Sequence, residues 1–124
     1  MQLAHTMIRV KDLEATIAFY TDFLGLTEVK RGTIGDEATL VFLSDEWENY
    51  HIELTYNHDG RDYDLGDQFG HLAFHVDDLD PIVAKLEAAG TWFRRSKPEN
   101  RSKYIFVKDP NGYDIEILET RQSD

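Results

Sequence analysis

An internal repeat is the feature that most constrains this chain. The stretch HTMIRVKDLEATIAFY begins at His5, and HLAFHVDDLDPIVAKL begins at His71. Each reads His, four residues, Val, one residue, then Asp-Leu. His5 and His71, Val10 and Val76, Asp12 and Asp78, and Leu13 and Leu79 all stand 66 positions apart. Gly25 and Gly90 keep nearly the same spacing, as do IEL at 52–54 and IEI at 115–117. Two copies of a unit this long do not make a solenoid, which needs at least three short repeats to bury a continuous core. They predict a fold with two equivalent halves.

The content of each half follows from its periodicity. Residues 3–10 alternate, with Thr6, Ile8 and Val10 on one face and His5, Met7 and Arg9 on the other, so they predict a strand. Asp12 is placed to cap a helix that reaches Leu24, and Gly25 suits the position just past its end. Strands follow at 38–43 and 51–56, with a shorter one over 27–31. The polar run 57–69 reads as a connecting loop. The second copy restarts with a strand at 70–76. A helix runs from about Pro81 to Ala89, behind Asp78 and Asp80 and ended by Gly90. Strands are expected at 91–95, 103–107 and 113–119. DPNGY between the last two is a turn, in which Pro110 presets φ and Asn111-Gly112 tolerate positive φ. The expectation is an α+β chain of two tandem βαβββ modules, 1–58 and 68–124. Together they would make one domain over residues 1–124.

Composition removes several function classes. A net charge of −11 argues against nucleic acid as a partner, because phosphate binding needs a basic footprint. No apolar run approaches 18 residues, so no membrane-spanning helix is expected. Without cysteine there is no disulfide framework, thiolate nucleophile or Cys-based zinc site. No basic, apolar leader precedes the first strand segment, and a cytoplasmic location is the expectation. Arg94, Arg95, Lys97, Arg101 and Lys103 concentrate basic charge in ten positions, 94–103. This segment reads either as a solvated loop or as a local anion-binding element.

The repeat pairs histidine with histidine and glutamate with glutamate. Glu53 lies between Ile52 and Leu54, and Glu116 between Ile115 and Ile117, so each projects from the face opposite its apolar neighbours. A lone strand histidine is usually only hydrogen-bonded, and a glutamate alternating with isoleucine usually faces solvent. Two equivalent copies of both change that weighting. His5, Glu53, His71 and Glu116 form a candidate 2-His-2-Glu metal set, suited to a divalent ion such as Ni²⁺, Co²⁺, Zn²⁺ or Fe²⁺.

These residues resemble the vicinal oxygen chelate superfamily, and within it the bacterial glyoxalase I enzymes. The resemblance spans nearly the whole chain. It is carried by HTMIRVKDLEATIAFYTDFLGL, IELTYN, GHLAFHVDD and DPNGYDIEIL, which contain all four candidate ligands. It implies a homodimer with sites at the subunit interface. His5 and Glu53 would come from one subunit, His71 and Glu116 from the other. It further implies Ni²⁺ or Co²⁺ in preference to Zn²⁺. The implied reaction is isomerisation of the methylglyoxal–glutathione hemithioacetal to S-D-lactoylglutathione through an ene-diolate. Glu116 would be the catalytic base, and Glu53 a ligand and second candidate base. Arg9 and Asn57 would bind the glutamyl carboxylate of the thiol. The segment RRSKPENRSK lacks a Gly-rich run common in close relatives, and Asp67 stands where some members have arginine. His75 occupies the repeat position of Arg9 and is a candidate cleft residue, whereas His51 and His58 read as peripheral.

Two other readings stay open. Methylmalonyl-CoA epimerase-like enzymes share the resemblance but tend to carry glutamine where this chain has Glu53. A non-catalytic sequestering protein of the same fold would carry small or apolar residues at the ligand positions.

Overall fold

A computed structural model describes residues 1–99 and 103–120. The chain forms two compact units, Met1–Asp64 and Leu65–Asp124. In the first unit, strand β1 (His5–Arg9) leads into helix α1 (Leu13–Ala18) and then strands β2 (Thr27–Ile34), β3 (Ala38–Ser44) and β4 (His51–Asn57). In the second, β5 (His71–Val76) leads into α2 (Asp80–Ala89), then β6 (Arg94–Arg95), β7 (Tyr104–Lys108) and β8 (Asp114–Glu119). Each unit is therefore a βαβββ module, as the repeat predicts. The strand orders are β1-β4-β3-β2 and β5-β8-β7-β6, the same permutation twice. In both sheets the first strand pairs parallel with the last, and the remaining pairs are antiparallel.

The alternation expected of the strands decides which face is apolar. Ile8, Val41, Leu43, Ile52 and Leu54 are buried in the first unit, together with Tyr20 and Thr16 from the helical segment. Ile105, Val107, Ile115 and Ile117 are buried in the second, with Leu79, Val83 and Leu86 from around α2. Glu53 and Glu116 stand between these residues in sequence, so the pleat turns them to the opposite face.

The local signals differ between the copies. Asp12 caps α1 as expected, its side chain accepting from the Ala15 amide at 3.0 Å. The helix does not stay regular to Leu24. It turns π-helical over Phe19–Phe23, where the Leu24 amide reaches back to the Phe19 carbonyl at 3.2 Å. Gly25 then closes it with φ of +81°. Asp78 instead bonds the amide of Asp80 at 2.9 Å, and the Leu79 amide donates to the Glu119 carboxylate at 3.1 Å. The strand expected at 91–95 is only Arg94–Arg95, while that expected at 27–31 runs on to Ile34. In DPNGY, the Asp109 carboxylate accepts from the Asn111 and Tyr113 amides at 2.8 and 2.9 Å, and only Gly112 takes positive φ. No helix among the described residues is long and apolar enough to cross a membrane.

Candidate metal centre

Strand register places the candidate ligands. Across β1 and β4, His5 lies opposite His51 and Met7 opposite Glu53, so His5 and Glu53 are diagonal neighbours on one face. Across β5 and β8, His71 lies opposite Asp114 and Ala73 opposite Glu116, which reproduces the same diagonal. Nε2 of His5 is 3.1 Å from Oε1 of Glu53, and Nε2 of His71 is 3.2 Å from Oε1 of Glu116. The side-chain exposures also repeat: 40% for both histidines, 12% for Glu53 and 16% for Glu116. The structure brings His5 beside Glu53 and His71 beside Glu116, each pair within its own unit.

The spacing suits a shared ion. Nitrogen and oxygen ligands bind Zn²⁺-like ions at about 2.0–2.2 Å. Two of them at a right angle therefore stand about 3.0 Å apart, and slightly farther at a tetrahedral angle. Imidazole and carboxylate are donors that such borderline ions accept. Each unit offers two donors, half of a four-ligand set. Among the described residues no group of three or more His, Cys, Asp or Glu side chains is placed to hold one metal ion.

The two half-sets are not identical. Thr55 donates its hydroxyl to Oε2 of Glu53 at 2.7 Å. Both residues are buried, at 4% and 9% exposure, so this bond satisfies an oxygen that has little access to water. Leu118 takes the place of Thr55 beside Glu116 in β8 and has no donor to offer.

Farther along the same face, Arg9 and Asn57 meet. Nη1 of Arg9 donates to Oδ1 of Asn57 at 2.7 Å. Tyr63, which sequence reasoning did not single out, donates its hydroxyl to the same Oδ1 at 3.1 Å. With its oxygen held by two donors, Asn57 has its amide hydrogens left to offer elsewhere. Next to this cluster is a small open pocket of about 100 Å³, with a lining that includes Val10, Lys11, Tyr56, Asn57, Arg61 and Tyr63. Lys11 donates to Asp62 at 2.8 Å, and that hydrogen bond holds the Asp62 carboxyl below its ordinary value.

The remaining candidates are scattered. Among the basic residues of 94–103, Arg94 lies over the Phe106 ring, Arg95 is 3.9 Å from Glu87, and Lys103 is 3.6 Å from Glu119. Arg101 lies outside the described residues. His75 is exposed on β5. His58 bonds Thr39 and the Asp36 carbonyl, both at 2.9 Å, away from the paired ligands. His51 sits edge-on to Phe42 with centroids 6.3 Å apart, on the face that carries Glu53.

A duplicated βαβββ chain with one imidazole–carboxylate pair per module defines a class, and the comparison with known families agrees. Residues 2–117 match the family model described as Glyoxalase/Bleomycin resistance protein/Dioxygenase superfamily, and the chain belongs to that superfamily. Within it, the chain falls with the lactoylglutathione lyases. It is 40% identical to a probable lactoylglutathione lyase of Synechocystis sp., covering 97% of this chain and 96% of the relative. It is 38% identical to a probable lactoylglutathione lyase of Vibrio parahaemolyticus, over 98% and 93% of the two chains. It is 35% identical to the lactoylglutathione lyase of Neisseria meningitidis, over 100% and 94%. Among solved structures, the trypanothione-dependent glyoxalase I of Leishmania major superposes with a TM-score of 0.80. That match has 35% identity and covers 96% of this chain and 86% of the other.

Proposed function

We propose that this chain is a metal-dependent lactoylglutathione lyase that isomerises the hemithioacetal of methylglyoxal and glutathione to S-D-lactoylglutathione. The observation that carries this reading is the repeated imidazole–carboxylate pair, His5 with Glu53 and His71 with Glu116, at 3.1 and 3.2 Å. The four residues serve as the ligands of one divalent ion, Ni²⁺ or Co²⁺ before Zn²⁺. The two units act as a single domain, and two copies of the chain assemble as a homodimer. In it, His5 and Glu53 of one copy meet His71 and Glu116 of the other. The location is cytoplasmic.

When bound, the ion supplies Lewis-acid stabilisation of the negative charge that develops on the substrate oxygens in the ene-diolate. The chain's own residues do the rest. Glu116 takes the proton from C1 of the hemithioacetal and returns it at C2, so no proton is gained or lost overall. Its carboxylate suits that work because Leu118 beside it ties up none of its lone pairs. Glu53 is held by Thr55 and keeps a fixed orientation, which suits a ligand. The guanidinium of Arg9 and the amide of Asn57 receive the glutamyl carboxylate of the thiol. Together they provide positive charge and hydrogen-bond donors on an acidic protein.

The test is to load the metal-free protein with Ni²⁺, Co²⁺ or Zn²⁺, supply methylglyoxal with glutathione, and follow thioester formation. Turnover is expected with Ni²⁺ or Co²⁺ and a weaker rate with Zn²⁺. Because one structural relative is trypanothione-dependent, trypanothione belongs in the same experiment as an alternative thiol. Thioester formation with neither thiol under any of the three metals would overturn the proposal.

A further inference from the structure

The repeat extends beyond the four acid and imidazole groups. Phe42 on β3 lies opposite Glu53, and Phe106 on β7 lies opposite Glu116. The ring of Phe42 stands at 86° to that of His5 with centroids 5.5 Å apart. The ring of Phe106 stands at 90° to that of His71 with centroids 5.0 Å apart. Each phenyl ring is covered in turn by a cation from the next strand. Nζ of Lys30 is 5.4 Å from the Phe42 centroid, and Cζ of Arg94 is 4.7 Å from that of Phe106. The same three-part stack of cation, phenyl and imidazole is built twice, once in each copy of the repeat.

A metal-binding imidazole normally has its second nitrogen oriented by a carboxylate, a carbonyl or a water. A perpendicular ring pair restricts imidazole rotation through its electrostatic preference for edge-to-face geometry. A cation over the phenyl face in turn holds that ring in place. We infer that Phe42 and Phe106 are positioning residues for metal binding. They hold the two ligand imidazoles with Nε2 beside the paired glutamate. This inference rests on the metal reading above.

The experiment measures divalent-ion affinity on the full chain, by chelator competition with Ni²⁺, for the wild type, Phe42→Leu and Phe106→Leu. Thermal unfolding of each metal-free protein is measured alongside. Both leucine variants are expected to raise the Ni²⁺ dissociation constant about tenfold or more, in the range seen for other outer-shell groups. Phe42→Tyr and Phe106→Tyr keep the ring face and are expected to restore binding to near the wild-type value. Phe42→Met and Phe106→Met keep most of the volume without a ring, and give the same reading if a leucine variant fails to fold. Folded ring-less variants with wild-type Ni²⁺ affinity would overturn the inference, even if their KM for substrate rises. Failure of the wild type to bind Ni²⁺, Co²⁺ or Zn²⁺ would instead overturn the metal reading itself.

Discussion

At the residue scale, the two glutamates are chemically alike and structurally unequal. Glu116→Gln is expected to retain the metal and lose turnover by about 10²–10⁴-fold, the contribution of a placed general base. Steady-state kinetics beside a metal assay check this, and near-normal kcat with full metal would reassign the base. Thr55→Val leaves the buried Oε2 of Glu53 without its donor. A loss of about 1–3 kcal/mol in urea unfolding of the metal-free protein is expected, the cost of an unsatisfied buried polar group. Arg9→Ala removes a charge-assisted contact of about 1.5–3 kcal/mol, so KM is expected to rise about 10–100-fold with kcat little changed. Tyr63→Phe should move KM in the same direction by less, because it frees the Asn57 oxygen without removing charge. An unchanged KM in Arg9→Ala would sink the carboxylate role. Of these residues, His5, Glu53, His71, Glu116 and Arg9 could be placed on a face from strand alternation and the repeat, whereas Asn57 fell in the expected loop and was named only through the family resemblance. Tyr63 and Thr55 were not singled out, since their roles depend on where a loop and a neighbouring side chain land in space.

At the element scale, the same sequence signal gave different structures in the two halves. Asp-Leu recurs at 12–13 and 78–79, yet Asp12 caps its helix and Asp78 bonds only the amide two residues on. The N-terminal end of α2 draws on Glu119, forty residues away in sequence, whose carboxylate accepts from Leu79. Asp12→Ala is therefore expected to cost about 1 kcal/mol. Asp78→Ala should cost less, with both read from denaturant midpoints. Equal costs would contradict the difference in capping. Strand order was not readable from either copy alone, because alternation fixes a strand's faces and leaves its neighbours open. The π-helical turn at Phe19–Phe23 was invisible for a related reason. One extra residue in a turn leaves the spacing of Ile17, Tyr20 and Leu24 compatible with an ordinary helix. Strand β6 is shorter than the expected 91–95, and β2 longer than the expected 27–31. The ends of edge strands follow from pairing with the neighbour, which periodicity does not encode.

At the scale of the whole molecule, duplication gives a chain of 124 residues two equivalent imidazole–carboxylate pairs, and the proposed metal centre takes its four ligands from them. Each module places one such pair by the same strand register, and the proposed centre needs one pair of each kind. If the halves come from different copies, complementation follows. A chain carrying His5→Ala and Glu53→Gln is expected to be inactive, as is one carrying His71→Ala and Glu116→Gln. Their mixture is expected to recover turnover, because each mixed dimer keeps one intact set. No recovery at any mixing ratio, with dimers present, would contradict a shared site. The central claim is that the two pairs hold one ion together, and the metal content of the dialysed protein tests it most directly. The wild type is expected to retain about one Ni²⁺ per chain, and His5→Ala and His71→Ala are each expected to lose it. Two ions per wild-type chain, or one variant that keeps the full complement, would contradict the account.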